Sequence, residues 1–434
     1  MQLHVLLPFV KHPLRTTMPV ESWRKALIQD NQLRHWGDAV QPRPLTGTTQ
    51  SHSRSRVYSS PSSSATPSPS TCLQDKTRPS RRLTSPPNHS RDGDHSDSGS
   101  NVNNNIGLLP TVTDATTSSG SARPIAMTST IGWTLDALLG HSPNFIATKR
   151  ISAASEDLAK ILQDYERRGE PLVVEGYQSH PKWPRELFTM ENFIKDAVSN
   201  EITVRNIHDW TDRRMNITDF AASSRSVGHY ITPNEVRLYG KDAECPEPWE
   251  HWLHNAGVIP SSLLGNGPQD FFRYRPESAS VQTLMCYLGI GDTFTPCHKD
   301  LCASSGQNLM CYTEEGGAAF WFMTKGSSSV DATKYFQKLG QELDHENYVI
   351  NLEELAKAPF KIYIIEQKLG DLVLVPPRSC HQVVNFGGIT IKTSWSRMSL
   401  DGLSMAYHHE LPIYRRVCRP EIYRVKSTIH HALV

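Results

Sequence analysis

The chain has 434 residues, more than one compact domain usually holds, so two or three structural units are expected. Its 45 Lys and Arg residues nearly balance 44 Asp and Glu residues, for a net charge of +1, so no direct sequence-specific nucleic-acid binding is expected. No run of about 18 apolar residues occurs, so we expect neither a transmembrane helix nor a membrane partner.

The N-terminal part differs in composition from the rest. Residues 51–100 contain 16 Ser, 6 Pro and 4 Thr but only 6 apolar residues, which cannot bury enough area to offset the entropy of ordering. Residues 1–125 are therefore predicted to be a disordered Ser/Thr/Pro-rich tail, with one short amphipathic helix over 22–37. The basic run KTRPSRR (76–82) has two interpretations, a nuclear-import signal and a solvated basic cluster, and the second is favoured.

Ordered structure is predicted from about residue 131. In chain order the predictions are a helix over 156–168 between a Ser155 cap and Gly169, a strand over 171–177, a helix begun by Thr189, a strand over 201–210, a short helix begun by Thr218 and an extended segment over 236–240. This alternation predicts a mixed α/β scaffold region over 131–269.

After residue 270 the pattern is almost wholly β. The runs VQTLMCYLGI, AAFWFMT, FKIYIIEQ, DLVLVPP and ITIKTSW are separated by Gly, Pro and Ser turns, with helices predicted only over 331–343 and 351–357. Many short strands with regular turns predict a β-barrel or sandwich over 270–400. A C-terminal extension follows over 401–434.

The segment FTPCHKDLC places His298 and Asp300 one residue apart, so on a strand both side chains reach one face and one metal ion. H-x-D alone is weak evidence in a chain with 19 His. His381 follows an apolar strand and two prolines, far enough along the chain to return as a third ligand. Two His and one carboxylate form a facial triad with open positions on Fe(II). The alternatives are a satisfied core histidine at 298 and a loop histidine at 381.

The run from about 270 to 400 resembles the JmjC domain in the segments YLGIGDTFTPCHKD, GAAFWF, GDLVLVPPRSCHQVVNFG and ITIKTSW. The resemblance implies a cupin-type double-stranded β-helix, mainly β, preceded by an α/β buttress. It also implies a chemistry that uses Fe(II) as cofactor and 2-oxoglutarate as cosubstrate. The sequence resembles fungal nuclear JmjC proteins in particular.

The resemblance also implies roles for single residues. The iron ligands are His298, Asp300 and His381, and Tyr287 is a catalytic pocket tyrosine. Thr295 and Asn308 match cosubstrate-pocket residues, although Asn308 has an equal alternative as a strand-edge or turn residue.

One position departs from the family pattern. The strand lysine that usually anchors 2-oxoglutarate is replaced here by Ala319. We expect Lys392 on the strand ITIKTSW to be the anchor instead, with Ser394 supplying a hydroxyl two residues further on. The alternative is that Lys392 lies on the outer face and extends to solvent.

The function implied is a 2-oxoglutarate-dependent dioxygenase, a histone lysine demethylase or protein hydroxylase that regulates chromatin in the nucleus. Its partner would be a protein substrate, a histone tail or chromatin protein. No C-x-x-C pair exists among the 8 Cys from which to build a zinc-finger reader. The alternative is an inactive JmjC scaffold that binds chromatin partners, which the Ala319 departure favours. A metabolic cupin without 2-oxoglutarate is the weakest of the three interpretations.

Overall fold

The computed structural model describes residues 129–233 and 235–434. The predicted tail, the helix over 22–37 and the basic run at 76–82 lie outside the described residues. Within that part of the chain, no helix has both the length and the apolar character needed to span a bilayer.

Fourteen strands are present in the described residues. In chain order they are β1 (Phe145–Ala147), β2 (Lys149–Ser152), β3 (Leu172–Glu175), β4 (Glu201–Asn206), β5 (Asp212–Asn216), β6 (Leu238–Glu244), β7 (Met285–Gly289), β8 (Phe294–Lys299), β9 (Ser305–Thr313), β10 (Ala318–Met323), β11 (Ile362–Gln367), β12 (Leu372–Val375), β13 (Cys380–Phe386) and β14 (Thr390–Arg397).

The strands form two sheets. The smaller has the order β1-β11-β10-β13-β8, and the larger has the order β2-β3-β12-β9-β14-β7-β6-β4-β5. Apolar side chains from both sheets form one cluster between them, including Met310 and Val373 from the larger sheet and Trp321 and Val383 from the smaller. The sheets therefore pack face to face as a sandwich, and the predicted mainly β, cupin-like fold class with α/β elements is confirmed.

Ten α-helices are present in the described residues. They are α1 (Leu135–His141), α2 (Leu158–Arg168), α3 (Met190–Lys195), α4 (Ile217–Ser226), α5 (Glu247–Asn255), α6 (Ser329–Lys338), α7 (Leu352–Ala356), α8 (Leu400–Met405), α9 (Leu411–Arg416) and α10 (Val425–Leu433), with a π-helical segment, Ala406–Glu410, between α8 and α9.

The region 131–269 supplies both helices and strands. Leu162 of α2, Phe220 of α4 and Trp249 of α5 share one core cluster with Leu309 and Ile391 of the larger sheet. Its strands also extend both sheets, because β1 pairs with β11, β3 with β12 and β6 with β7. The predicted scaffold region is thus continuous with the strands that follow it.

Local signals in the sequence set most helix ends. Gly169 ends α2 in the left-handed conformation (φ 61°), and the Thr189 side chain caps α3 by accepting from Asn192 N. The predicted cap at Ser155 and the predicted helix start at Thr218 differ from the structure. The residue that precedes α2 is Asp157 rather than Ser155, and Asn216 caps α4 because its side chain accepts from the backbone N–H of Thr218.

Candidate metal centre and cavity

Three potential ligands converge between the sheets. His298 lies on β8 and His381 lies opposite it on the neighbouring strand β13. Asp300 follows directly after β8. The ligand atoms of the three residues all lie within 4.8 Å of one another, and His381 Nε2 is 3.7 Å from Asp300 Oδ1. The strand pairing therefore brings together two segments that are 83 residues apart in the chain.

Both imidazoles are held by the backbone. His298 Nδ1 lies 2.9 Å from the carbonyl oxygen of Pro296, and His381 Nδ1 lies 3.1 Å from that of Ser379. A ring whose Nδ1–H donates to a carbonyl keeps Nε2 as the free lone pair. Each ring is thus oriented to offer Nε2 to a metal ion.

The Asp300 carboxylate occupies space that a glycine leaves open. A Cβ on Gly306 would lie within 2.2 Å of Asp300 Oδ2, so a larger residue at 306 would displace the carboxylate. Burial raises the pKa of Asp300 to about 6, and it lowers the pKa of His381 well below its ordinary value. At neutral pH the centre therefore offers a carboxylate and a neutral imidazole, the forms that bind metals.

This donor set fits Fe(II). One carboxylate and two imidazoles on adjacent strands leave the remaining coordination positions open to other ligands, as in the facial triad of non-haem iron oxygenases. The residues that would hold the ion are His298, Asp300 and His381, as predicted from the sequence, and their role as ligands stays a prediction.

A cavity of about 460 Å³ opens beside the centre. It is lined by His298 and Asp300, by the predicted residues Tyr287, Thr295 and Ser394, and by charged side chains that include Lys241, Asp242, Glu346 and Arg419. His381, Asn308 and Lys392 do not line it. The structure thus brings five of the eight predicted site residues to one cavity wall.

Two tyrosines form part of that wall. The rings of Tyr239 and Tyr287 stack with centroids 6.4 Å apart. The Tyr287 hydroxyl donates to Asp242 Oδ1 (3.1 Å), and the Thr295 hydroxyl donates to the Tyr239 hydroxyl (3.2 Å). Burial, and then the charge of Asp242, raises the pKa of Tyr287 well above its usual value, so this phenol keeps its proton.

The remaining predicted residues lie on the inner face of the larger sheet. Ser394 is opposite Asn308, and Lys392 is opposite Met310, which packs between the sheets. The Ser394 hydroxyl donates to the backbone oxygen of Gln307, and the Asn308 side-chain oxygen accepts from Gln367 Nε2 (3.1 Å). Asn308 is therefore a buried strand residue with its oxygen already engaged.

Lys392 points inward and not to solvent. It is 2 % exposed, and its ammonium donates to the side-chain oxygen of Asn385. Asn385 on β13 is paired with Ala319 on β10. Lys392 is on the larger sheet, and its ammonium therefore lies near Ala319 on the smaller sheet. Ala319 is the position at which the family pattern has a lysine.

The charge of Lys392 has no counter-ion among the residues that the structure describes: no carboxylate there lies within ion-pair distance of it. Burial lowers its pKa to about 7. A buried cation without a partner is costly, so this position favours an incoming anion.

Comparisons with known proteins agree with this geometry. Residues 285–396 match the family described as "JmjC domain, hydroxylase". Residues 285–396 are a JmjC domain. The chain is also 32% identical over 284 residues to C-module-binding factor A of Dictyostelium discoideum. The aligned segment covers 63% of this chain and 27% of that protein. The chain thus spans only about a quarter of the length of this curated relative.

The JmjC domain runs from the start of β7 almost to the end of β14 and carries all eight predicted site residues. The predicted resemblance is thereby confirmed. JmjC domains are generally 2-oxoglutarate-dependent oxygenases that use Fe(II), and the His-Asp-His arrangement in this chain is consistent with that chemistry.

Several residues of the site were not predictable from the sequence. Tyr239 and Asp242 come from β6, in the region before the JmjC domain, and no local pattern marks them. Asn385 lies in the motif segment after His381, but nothing in the sequence indicates that it meets Lys392. Gly306 is the second residue of a strand that begins Ser-Gly-Gln-Asn, and this polar start does not indicate that the glycine makes room for Asp300.

Proposed function

We propose that this chain is an Fe(II)- and 2-oxoglutarate-dependent oxygenase that acts on a protein, as a histone lysine demethylase or protein hydroxylase in chromatin regulation. The convergence of His298, Asp300 and His381 beside an open cavity carries this proposal. Their preset orientation supports metal binding without rearrangement of the strands.

The iron and its cosubstrate would supply the oxidising chemistry, in which 2-oxoglutarate and O₂ give succinate and CO₂ as one oxygen atom enters a substrate C–H bond. The protein's own contribution is to orient the ligands and to restrict water. Oxidation of an N-methyl group ends in loss of formaldehyde and hence demethylation, whereas oxidation of a side-chain carbon leaves a stable alcohol.

Lys392 is proposed as the anchor for a carboxylate of 2-oxoglutarate. Its burial, its inward direction and its lack of an acidic partner in the described residues support this role, because an anion bound there would restore the charge balance. Its approach to Asn385, beside Ala319, supports the view that the lysine has moved from one sheet to the other.

The cavity wall is compatible with a cationic substrate side chain. Asp242 offers a carboxylate beside the stacked rings of Tyr239 and Tyr287, and aromatic faces attract ammonium groups. This favours a lysine substrate, and with it the histone-tail and nuclear proposals, over an apolar side chain.

A binding role without turnover is the second candidate. The relative's name describes a binding factor, and Ala319 departs from the family pattern. In this case the JmjC fold would be kept as a chromatin-binding scaffold.

The test is succinate release from 2-oxoglutarate by the full chain with Fe(II), compared with Asp300→Ala. Oxygenase function predicts turnover in the wild type and loss of both Fe(II) binding and turnover in the variant, with the fold retained by circular dichroism. Absence of turnover with Fe(II) bound would favour the scaffold. Product mass on methylated peptides would then separate demethylation from hydroxylation.

A further inference from the structure

The C-terminal extension places one buried carboxylate between the two segments that carry the metal ligands. Glu410 ends the π-helical segment Ala406–Glu410 and is 1 % exposed. Its Oε2 accepts from Lys299 Nζ (2.8 Å), and its Oε1 accepts from Arg378 Nε (2.7 Å). A single side chain thus binds a cation on each segment.

Both cations are close to ligands in the chain. Lys299 lies between His298 and Asp300, and Arg378 lies three residues before His381. Arg378 adopts a left-handed conformation (φ 65°), which is unfavourable for a residue with a Cβ and persists only when surrounding contacts hold it. The bond from Arg378 to Glu410 is one of those contacts.

The cluster is balanced in charge. Lys299 also pairs with Asp344 (2.9 Å), so two cations and two carboxylates form a charge-balanced set in which the Arg378 side chain is partly exposed (13 %) and the other three are buried. Burial alone would raise the pKa of Glu410, but Lys299 and Arg378 together hold it below its ordinary value. Because desolvation offsets most of the attraction in such clusters, they contribute little net stability, although removal of one partner is costly.

The extension also holds the chain that follows Asp300. Cys302 and Ala303 both have positive φ (54° and 53°). The Cys302 backbone N–H donates to the Tyr414 hydroxyl (2.8 Å), and its thiol donates to Glu421 (3.2 Å). Contacts from the extension therefore lie on both sides of Asp300.

We propose that Glu410 is a positioning residue of the metal centre, which fixes the separation of the His298–Asp300 segment and the His381 segment through Lys299 and Arg378. Glu410 lies outside residues 285–396, so the JmjC domain depends on the extension for its ligand geometry. The inference rests on the proposed metal site.

The test compares Co(II) binding by the full-length wild type, Glu410→Gln and Ile429→Ala. Co(II) reports its ligand geometry through its visible absorption spectrum, without turnover. Ile429 is buried in α10, so its truncation destabilises the extension through a cavity and leaves the ion cluster intact. We expect Glu410→Gln to weaken Co(II) binding about 10- to 100-fold and to change the spectrum. Ile429→Ala should bind within about two-fold of wild type with an unchanged spectrum, provided that it is folded.

Glu410→Asp covers the case in which Glu410→Gln does not fold. It keeps the charge but is one methylene shorter, so it cannot reach Lys299 and Arg378 together, and we expect about ten-fold weaker binding. Wild-type affinity and spectrum in a folded Glu410 variant, or equal losses in Ile429→Ala, would overturn the positioning role alone. Failure of the wild type to bind Co(II) would overturn the proposed metal site as well.

Discussion

Two lysines, one on each sheet, are buried to the same extent but have opposite surroundings. Lys299 and Lys392 are each 2 % exposed. Lys299 has carboxylates of Asp344 and Glu410 within 2.9 Å, and their charges raise its pKa despite burial. Within the part of the chain that the structure describes, Lys392 has only the neutral Asn385 as a partner, and burial lowers its pKa to about 7. The first lysine is therefore a completed structural contact, whereas the surroundings of the second support its proposed role as an anchor for an anion.

Substitution of Lys299 is expected to cause the largest change in stability. Lys299→Met should destabilise the protein by about 3–5 kcal/mol, because it leaves Asp344 and Glu410 buried with one cation fewer. Chemical denaturation at pH 7 measures this loss. A loss below about 1 kcal/mol would mean that the ion pairs of Lys299 are not needed for stability.

Lys392→Met should have the opposite effect on stability. Removing an unpaired buried charge should raise the stability of the ligand-free protein by on the order of 1–3 kcal/mol, since each unit by which its pKa is depressed costs about 1.4 kcal/mol. The same variant should weaken 2-oxoglutarate binding by about 2–4 kcal/mol, measured by calorimetry, with Fe(II) affinity almost unchanged.

A double variant sharpens this result. Because Ala319 and Lys392 flank the same Asn385 side chain, Ala319→Lys in the Lys392→Met background should recover most of the lost 2-oxoglutarate affinity. If Lys392→Met alone keeps wild-type affinity, the anchor role is wrong and the scaffold interpretation gains support.

The pH dependence of binding follows from the low pKa of Lys392. The folded pKa is about 7 against an ordinary 10.5, so the penalty on ligand-free stability is complete below pH 7 and disappears as pH rises to 10.5. A bound carboxylate would raise this pKa, so binding above pH 7 should take up a proton. Affinity for 2-oxoglutarate should fall by up to about ten-fold per pH unit above 7, and Lys392→Met should remove the dependence. Calorimetry in buffers of different ionisation enthalpy measures the uptake.

The smallest expected effect on metal binding is that of Asp371→Ala. Asp371 is buried and paired with Arg150 Nη2 (2.6 Å), so like Lys299 it belongs to a completed ion pair. Its loss should destabilise the fold but leave Fe(II) affinity within about two-fold when both proteins are folded. A loss equal to that of Asp300→Ala would mean that the metal carboxylate has been misassigned.

Features that depend on local residue spacing were predictable from the sequence. His298, Asp300 and the strands that carry them follow from alternation and turn residues, and Gly169 and Thr189 mark helix ends by their own conformational and hydrogen-bonding preferences. Alternation along β14 predicted that Lys392 and Ser394 share a face, but it did not decide whether that face points inward or to solvent.

Contacts made at long range were not predictable in the same way. Lys299 and Glu410 are 111 residues apart, and nothing near either residue indicates the other. Lys392 and Asn385 are only seven residues apart, but β14 and β13 belong to different sheets. The two side chains meet because these sheets pack face to face, which residue spacing does not predict. The cap at Asn216 was missed because Thr218 is an equally good candidate by residue type.

The sharing of strands between the scaffold region and the JmjC domain has a practical consequence for truncation. Residues 285–396 alone would lack β3 and β6, and β12 and β7 would become free sheet edges. The unpaired N–H and C=O groups of a free sheet edge can pair with strands from other molecules. A chain trimmed to residues 285–396 is therefore expected to aggregate. In the longer chain, the scaffold strands β3 and β6 cover these edges and prevent self-association.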